Sequence, residues 1–143
     1  MTEREVCAEA IAAAMRAGAD FVRYFRVHSG PWSAFDSLAT GHGPAHRIVE
    51  IVALDVIGAY QGYGFDVNRT TVCGDASAET RRLLETTLEA TNAAVEQIRP
   101  GVAVSTVADA AVEVMQRGRY GDYFAGMMGH GIGLETVELL ICR

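Results

Sequence analysis

Two runs rich in β-branched and aromatic residues, Ile48–Ile57 and Tyr63–Cys73, flank the glycine-containing centre Gly58-Ala59-Tyr60-Gln61-Gly62. Nothing else in the chain constrains its fold as strongly, because strand-forming runs joined by so short a connection pair as an antiparallel hairpin. Asp55 and Asp66 lie at mirror positions about Tyr60-Gln61. Symmetric pairing about that tip predicts that they face each other on one side of the hairpin, with Cβ atoms roughly 4.5–5.5 Å apart. Two carboxylates that close repel unless a proton or a cation lies between them. Tyr60-Gln61 is not a favoured two-residue turn pair, however. Another register, with both aspartates as ordinary polar residues near strand ends, stands as the alternative.

The flanking segments read as helices and one more strand. Residues 2–17 open with Thr2 and Glu5 in capping-box spacing, carry Val6, Ala10, Ala13 and Ala14 on one face, and stop at Gly18. Phe21–His28 has strand composition. Ser29-Gly30-Pro31-Trp32 breaks that strand, and a polar loop long enough to suspect a function runs to about His46. From Ser77 the pattern turns helical, with Leu84, Leu88, Thr91, Val95 and Ile98 as its apolar series and Arg99-Pro100-Gly101 as its end. A further helix over Ser105–Arg117 turns Val107, Ala111, Val114 and Met115 inward and stops at Gly118. Helix, strands, two helices and a glycine-rich tail give an α+β class.

Composition removes several functions. The chain has 143 residues, is 50% hydrophobic and carries a net charge of −6, which suits one soluble domain. All 12 basic residues are arginine, so Schiff-base, P-loop and Ser-Lys chemistries lack their lysine. The acidic balance argues against a nucleic-acid partner. No apolar run approaches the roughly 20 residues that span a bilayer, and the charged, amphipathic N-terminus is not signal-like, so no membrane partner and a cytoplasmic location are expected. Cys7, Cys73 and Cys142 show no metal or redox spacing and read as reduced thiols.

Gly129-His130-Gly131-Ile132-Gly133 sets one imidazole between glycines, where backbone can approach a ligand closely. Imidazole is the commonest metal ligand, whereas a dinucleotide fingerprint would need a strand before and a helix after. A histidine in a tight surface turn is the alternative. Two carboxylates and an imidazole favour Mn, Co, Zn or Fe over thiolate-seeking ions.

The run Leu54-Asp55-Val56-Ile57-Gly58-Ala59-Tyr60-Gln61-Gly62-Tyr63-Gly64-Phe65-Asp66-Val67-Asn68-Arg69-Thr70 resembles the aspartate-bearing segment of the pita-bread metallopeptidases, particularly Xaa-Pro aminopeptidases and prolidases. Ile98-Arg99-Pro100-Gly101 resembles that family's helix end, and Gly129-His130-Gly131-Ile132-Gly133-Leu134-Glu135 its ligand loop. The resemblance implies a pita-bread fold, here its first half plus part of the second, over a single incomplete domain spanning residues 1–143. It implies hydrolysis of a peptide substrate by a hydroxide activated between two divalent metal ions. Asp55 would bind one ion, Asp66 would bridge both, and His130 would bind the other. Arg69 and Thr70 would support the site, and His42, in a looser match, would bind substrate or carry a proton.

Departures temper that expectation. Val137 stands where family members commonly have a histidine, and the strand entry between Arg47 and Asp55 is altered. The resemblance implies two further glutamate ligands on strands that would follow Arg143, and Glu135 and Glu138 do not match those positions. The chain thus reads as truncated and inactive alone. Val114, Met115 and Leu139-Leu140-Ile141 are expected to seek a second copy, making a homo-oligomer. A non-catalytic pita-bread module binding peptide or protein partners is the alternative function. Creatinase-like amide hydrolysis shares the fold and is not separated by these residues.

Overall fold

The computed structural model describes residues 1–30, 50–124 and 128–142. They form two compact units, one of residues 1–76 with 132–136 and one of residues 77–131 with 137–143.

In the first unit, helix α1 (Glu3–Arg16) begins at Thr2, which accepts from the Glu5 amide while the Glu5 carboxylate takes the Thr2 amide, so the capping box forms as its spacing predicts. Strands β1 (Phe21–Ser29), β2 (Glu50–Tyr60) and β3 (Tyr63–Cys73) make one antiparallel sheet with β2 in the centre. Alternation along β1 buries Phe25, Val27 and Ser29, and with Val52 the apolar pair meets Val6, Cys7, Ala10 and Ile11 of α1. Each such side chain, fully buried, is worth about 1.5–3 kcal/mol. Ala13, expected on this face, is exposed. The helix packs through a stripe set slightly around from the expected one, where the larger Ile11 contributes more area. The far end of β1 is tied to the first turn of α1, because the Ser29 amide and hydroxyl both donate to Glu3 Oε1, at 2.7 and 3.0 Å.

The hairpin register differs from the expectation. Tyr60 pairs with Tyr63, Asp55 with Asn68 and Ile57 with Asp66, so the two aspartates do not face one another. The tip is Gln61-Gly62, both with positive φ (51° and 80°), as a two-residue type I′ connection requires. Glycine enters that backbone region without steric cost, so the turn settles on the pair containing Gly62 and carries the register with it. Asp20 Oδ2 then accepts from the Gly62 amide at 2.8 Å.

The second unit is built on α2 (Ala78–Gln97) and α3 (Val104–Arg117), followed by a 3-10 turn at Gly121–Tyr123 and two short strands, β4 (Gly129–Gly131) and β5 (Glu138–Cys142), paired antiparallel. Ser77 caps α2 by accepting from the Thr80 amide. Of the apolar series read along α2, only Leu84 is half-buried. Leu88, Val95 and Ile98 are 62%, 58% and 66% exposed, whereas Thr86, Ala90 and Ala94 are buried. Small side chains let α3 approach closely through Ala111, Val114 and Met115. Val114 and Met115, expected to lie on an exposed apolar surface, are therefore buried within the chain, while Leu139 is fully exposed. Among the described residues no helix is long and apolar enough to cross a membrane.

Candidate metal centre

The sheet of the first unit has a second face. Because side chains alternate along each strand, the face opposite α1 carries Tyr24, Arg26 and His28 from β1, Asp55 and Ile57 from β2, and Asp66, Asn68 and Thr70 from β3. The pairing lays them in rows across the three strands: Arg26, Asp55 and Asn68 in one, Tyr24, Ile57 and Asp66 in the next. Asp55 and Asp66 thus share a face as diagonal neighbours, for which residue separations are roughly 7–8 Å, rather than as a directly opposed pair. The wider spacing relieves the repulsion that direct opposition would impose.

Asp55 is held from both sides. Arg26 Nη1 lies 3.1 Å from its Oδ2, and Asn68 Nδ2 donates to its Oδ1 at 3.0 Å. The ion pair is well covered, the side chains being 18% and 17% exposed. Its geometry is not the bidentate fork that arginine favours with carboxylates. The Nε of Arg26 is buried without an acceptor among the described residues. The guanidinium also lies 5.6 Å from the centroid of the Tyr24 ring, which Arg23 approaches at 5.5 Å.

His130 sits in β4, paired with Ile141, and its Nδ1 is 3.0 Å from the Gly131 carbonyl oxygen. That contact is a hydrogen bond when Nδ1 carries the proton, which puts the ring lone pair on Nε2, the tautomer suited to ligation. Within the second unit the histidine borders an apolar groove of about 370 Å3 with Ala94, Val95, Ile98, Val107 and Met128.

Asp55 and Asp66 belong to the first compact unit and His130 to the second. His42 lies outside the described residues. Arg69 donates to the Asn68 carbonyl at 2.6 Å and pairs across with Leu54, on the α1 side, whereas Thr70 shares the carboxylate face. Among the described residues no three His, Cys, Asp or Glu side chains are grouped closely enough to hold a metal ion. As chemistry, two carboxylates on one face and a separate imidazole suit a divalent ion of the Mn to Zn series. Sequence reasoning missed Arg26 and Asn68. The signal was there in β1, where Phe25 and Val27 alternate with Tyr24, Arg26 and His28.

The model of metallopeptidase family M24 matches residues 1–140. This chain belongs to that family. A Xaa-Pro dipeptidase of Pyrococcus furiosus is 35% identical over 116 residues, an alignment covering 73% of this chain and 33% of that protein. Among solved structures, a dipeptidase PepE from Mycobacterium ulcerans superposes with a TM-score of 0.90 at 33% identity, covering 99% of this chain and 38% of that one. The prolidase from P. furiosus does so with a TM-score of 0.88 at 33% identity, covering 99% and 42%. The pita-bread fold expected from the motifs is the fold of these M24 proteins. The chain spans about a third of the length of the curated M24 relative named here.

Proposed function

We propose that this chain is the aspartate-bearing part of a metal-dependent aminopeptidase or dipeptidase of the Xaa-Pro type, with Asp55, Asp66 and His130 as metal ligands. The observation that carries the reading is the placement of Asp55 and Asp66 on one face of the β2–β3 hairpin, opposite the face that α1 covers. A divalent ion bound there supplies a Lewis acid for the peptide carbonyl. Asn68 orients the Asp55 carboxylate through Oδ1, Thr70 lines the same face, and His42 binds the substrate or carries the proton to the leaving amine. The name and residue match of the P. furiosus relative support Xaa-Pro dipeptides as the substrate class. With three of the five ligands implied by the resemblance, these 143 residues bind one ion weakly and do not turn over alone. The full site, in this reading, takes two.

Calorimetric titration with Mn, Co and Zn tests the ligand set. One weak equivalent is expected, and Asp66→Ala should abolish it. Two tight equivalents, or unchanged binding in Asp66→Ala, would overturn the assignment. Hydrolysis of a panel of Xaa-Pro dipeptides run on the same samples should show no metal-dependent turnover.

One observation favours a second reading, a non-catalytic module that binds peptides or proteins: Val137, 53% exposed, stands where the resemblance places a histidine. Peptide binding that survives Asp55→Ala and Asp66→Ala together, with no metal uptake by the parent chain, would decide for it.

A further inference from the structure

Arg26 occupies the place on Asp55 where a positive charge belongs. Its guanidinium contacts Asp55 Oδ2 at 3.1 Å in a pair less than a fifth exposed, and Asp55 is its directly opposite neighbour across β1 and β2. We propose that Arg26 is a built-in competitor of the divalent ion at Asp55, a stand-in cation that must leave that carboxylate before a metal binds with full affinity. This inference rests on the metal reading above and adds a residue that sets the affinity of the site.

Three features of the geometry support it. A guanidinium cannot shed its charge in the accessible pH range, so a dication at Asp55 meets a fixed like charge a few ångströms away unless the side chain moves. The hold on Arg26 is also incomplete, since it grips the carboxylate through one nitrogen only and its buried Nε has no acceptor among the described residues. A bidentate, fully satisfied arginine would be far harder to displace. Lastly, Tyr24, two residues earlier on the same face, offers its ring to the same guanidinium at 5.6 Å, a perch that does not depend on Asp55. Asn68 holds the other oxygen without charge, so the carboxylate keeps its orientation when Arg26 departs. A residue that merely positioned Asp55 would add little to what Asn68 does already.

The experiment is a calorimetric titration of the whole chain with Mn(II) alone, comparing the parent with Arg26→Gln and Arg26→Lys, and with Asp55→Asn added to the Arg26→Gln background. Removing the charge should tighten binding by about tenfold or more, while the lysine variant stays within about threefold of the parent, since it retains a cation. Asp55→Asn should cancel the gain. Equal or weaker binding in Arg26→Gln would overturn the competitor role and leave the metal reading standing. No binding by any of the chains would bring down both. Should Arg26→Gln fail to fold, side-chain NMR of the arginines in the parent decides the matter. The Arg26 Nε signal, assigned from its loss in Arg26→Lys, should move along the Zn(II) binding isotherm. An unmoved signal at saturating Zn(II) would overturn the proposal.

Discussion

The two faces of the β1–β2–β3 sheet are drawn from the same three strands, yet they tolerate disturbance differently. The face under α1 is a dry contact of Phe25, Val27 and Val52 with the helix, closed at its end by Ser29 on Glu3. The other bears Asp66 together with Arg26, Asp55 and Asn68, these three linked by an ion pair and a side-chain amide. Alternation of side chains makes both at once, so each strand residue serves packing or charge but not both. The dry face fixes the sheet through area and shape. The charged face keeps its geometry through directed contacts that can be exchanged for a ligand.

The sharpest way to break this contrast is to move charge across the sheet. Val27→Asp puts a carboxylate at a position 3% exposed with no partner and should cost at least about 3 kcal/mol, enough to leave much of the chain unfolded. The midpoint of urea unfolding by circular dichroism reads it. On the charged face, Asp55→Ala in the metal-free chain leaves Arg26 covered and unpaired, and a smaller loss of about 1–3 kcal/mol is expected by the same assay. A gain in stability would mean that desolvation outweighs the pair. The turn that aligns both faces can be sharpened instead. Gln61 holds φ at 51°, a region asparagine enters more readily, so Gln61→Asn should raise stability by about 0.5 kcal/mol without altering the pairing of Asp55 with Asn68.

The smallest effect concerns Cys7, whose thiol donates to the Phe25 carbonyl at 3.4 Å under α1 and is pushed by burial above its ordinary value of 9.0. The folded chain holds that proton more tightly than the unfolded chain. The thiol therefore costs nothing below the ordinary value, and stability falls as pH rises from there through the raised one. Comparing unfolding midpoints of the parent and Cys7→Ala at neutral pH and at about pH 10 should show the extra alkaline loss in the parent only.

Much of this was legible in the residues. Thr2 and Glu5 announced α1, the β-branched runs announced β2 and β3, and the motifs around Asp55, Asp66 and His130 announced family M24. What misled was local. Symmetry about Tyr60-Gln61 ignored which pair accepts positive φ, so the register was misplaced until Gly62 is given its due. On α2, hydrophobicity pointed to Leu88 and Val95, while the contact with α3 selects Ala90 and Ala94 for their small size. Helical periodicity finds an apolar stripe but does not say which of two stripes a neighbour can approach. The alternation of β1 places Arg26 on the polar face, but its meeting with Asp55 depends on a register between β1 and β2 that no local pattern specifies.

The amide of Gly64, early in β3, donates to the carbonyl of Gly133 at 2.7 Å, and a side chain at Gly64 would press within 3.1 Å of that same oxygen. Residues 132–136 are thus part of the first unit, although the helices of the second are synthesised between them. In the order in which a ribosome delivers the chain, the sheet and α1 emerge early and wait with one hydrogen-bonding position of β3 open to water. Both helices must be made before the piece that covers it exists. A newly made first unit therefore lacks the Gly64–Gly133 hydrogen bond and the Arg23–Glu135 ion pair until both helices have been made, and it closes only when the chain has returned from building something else.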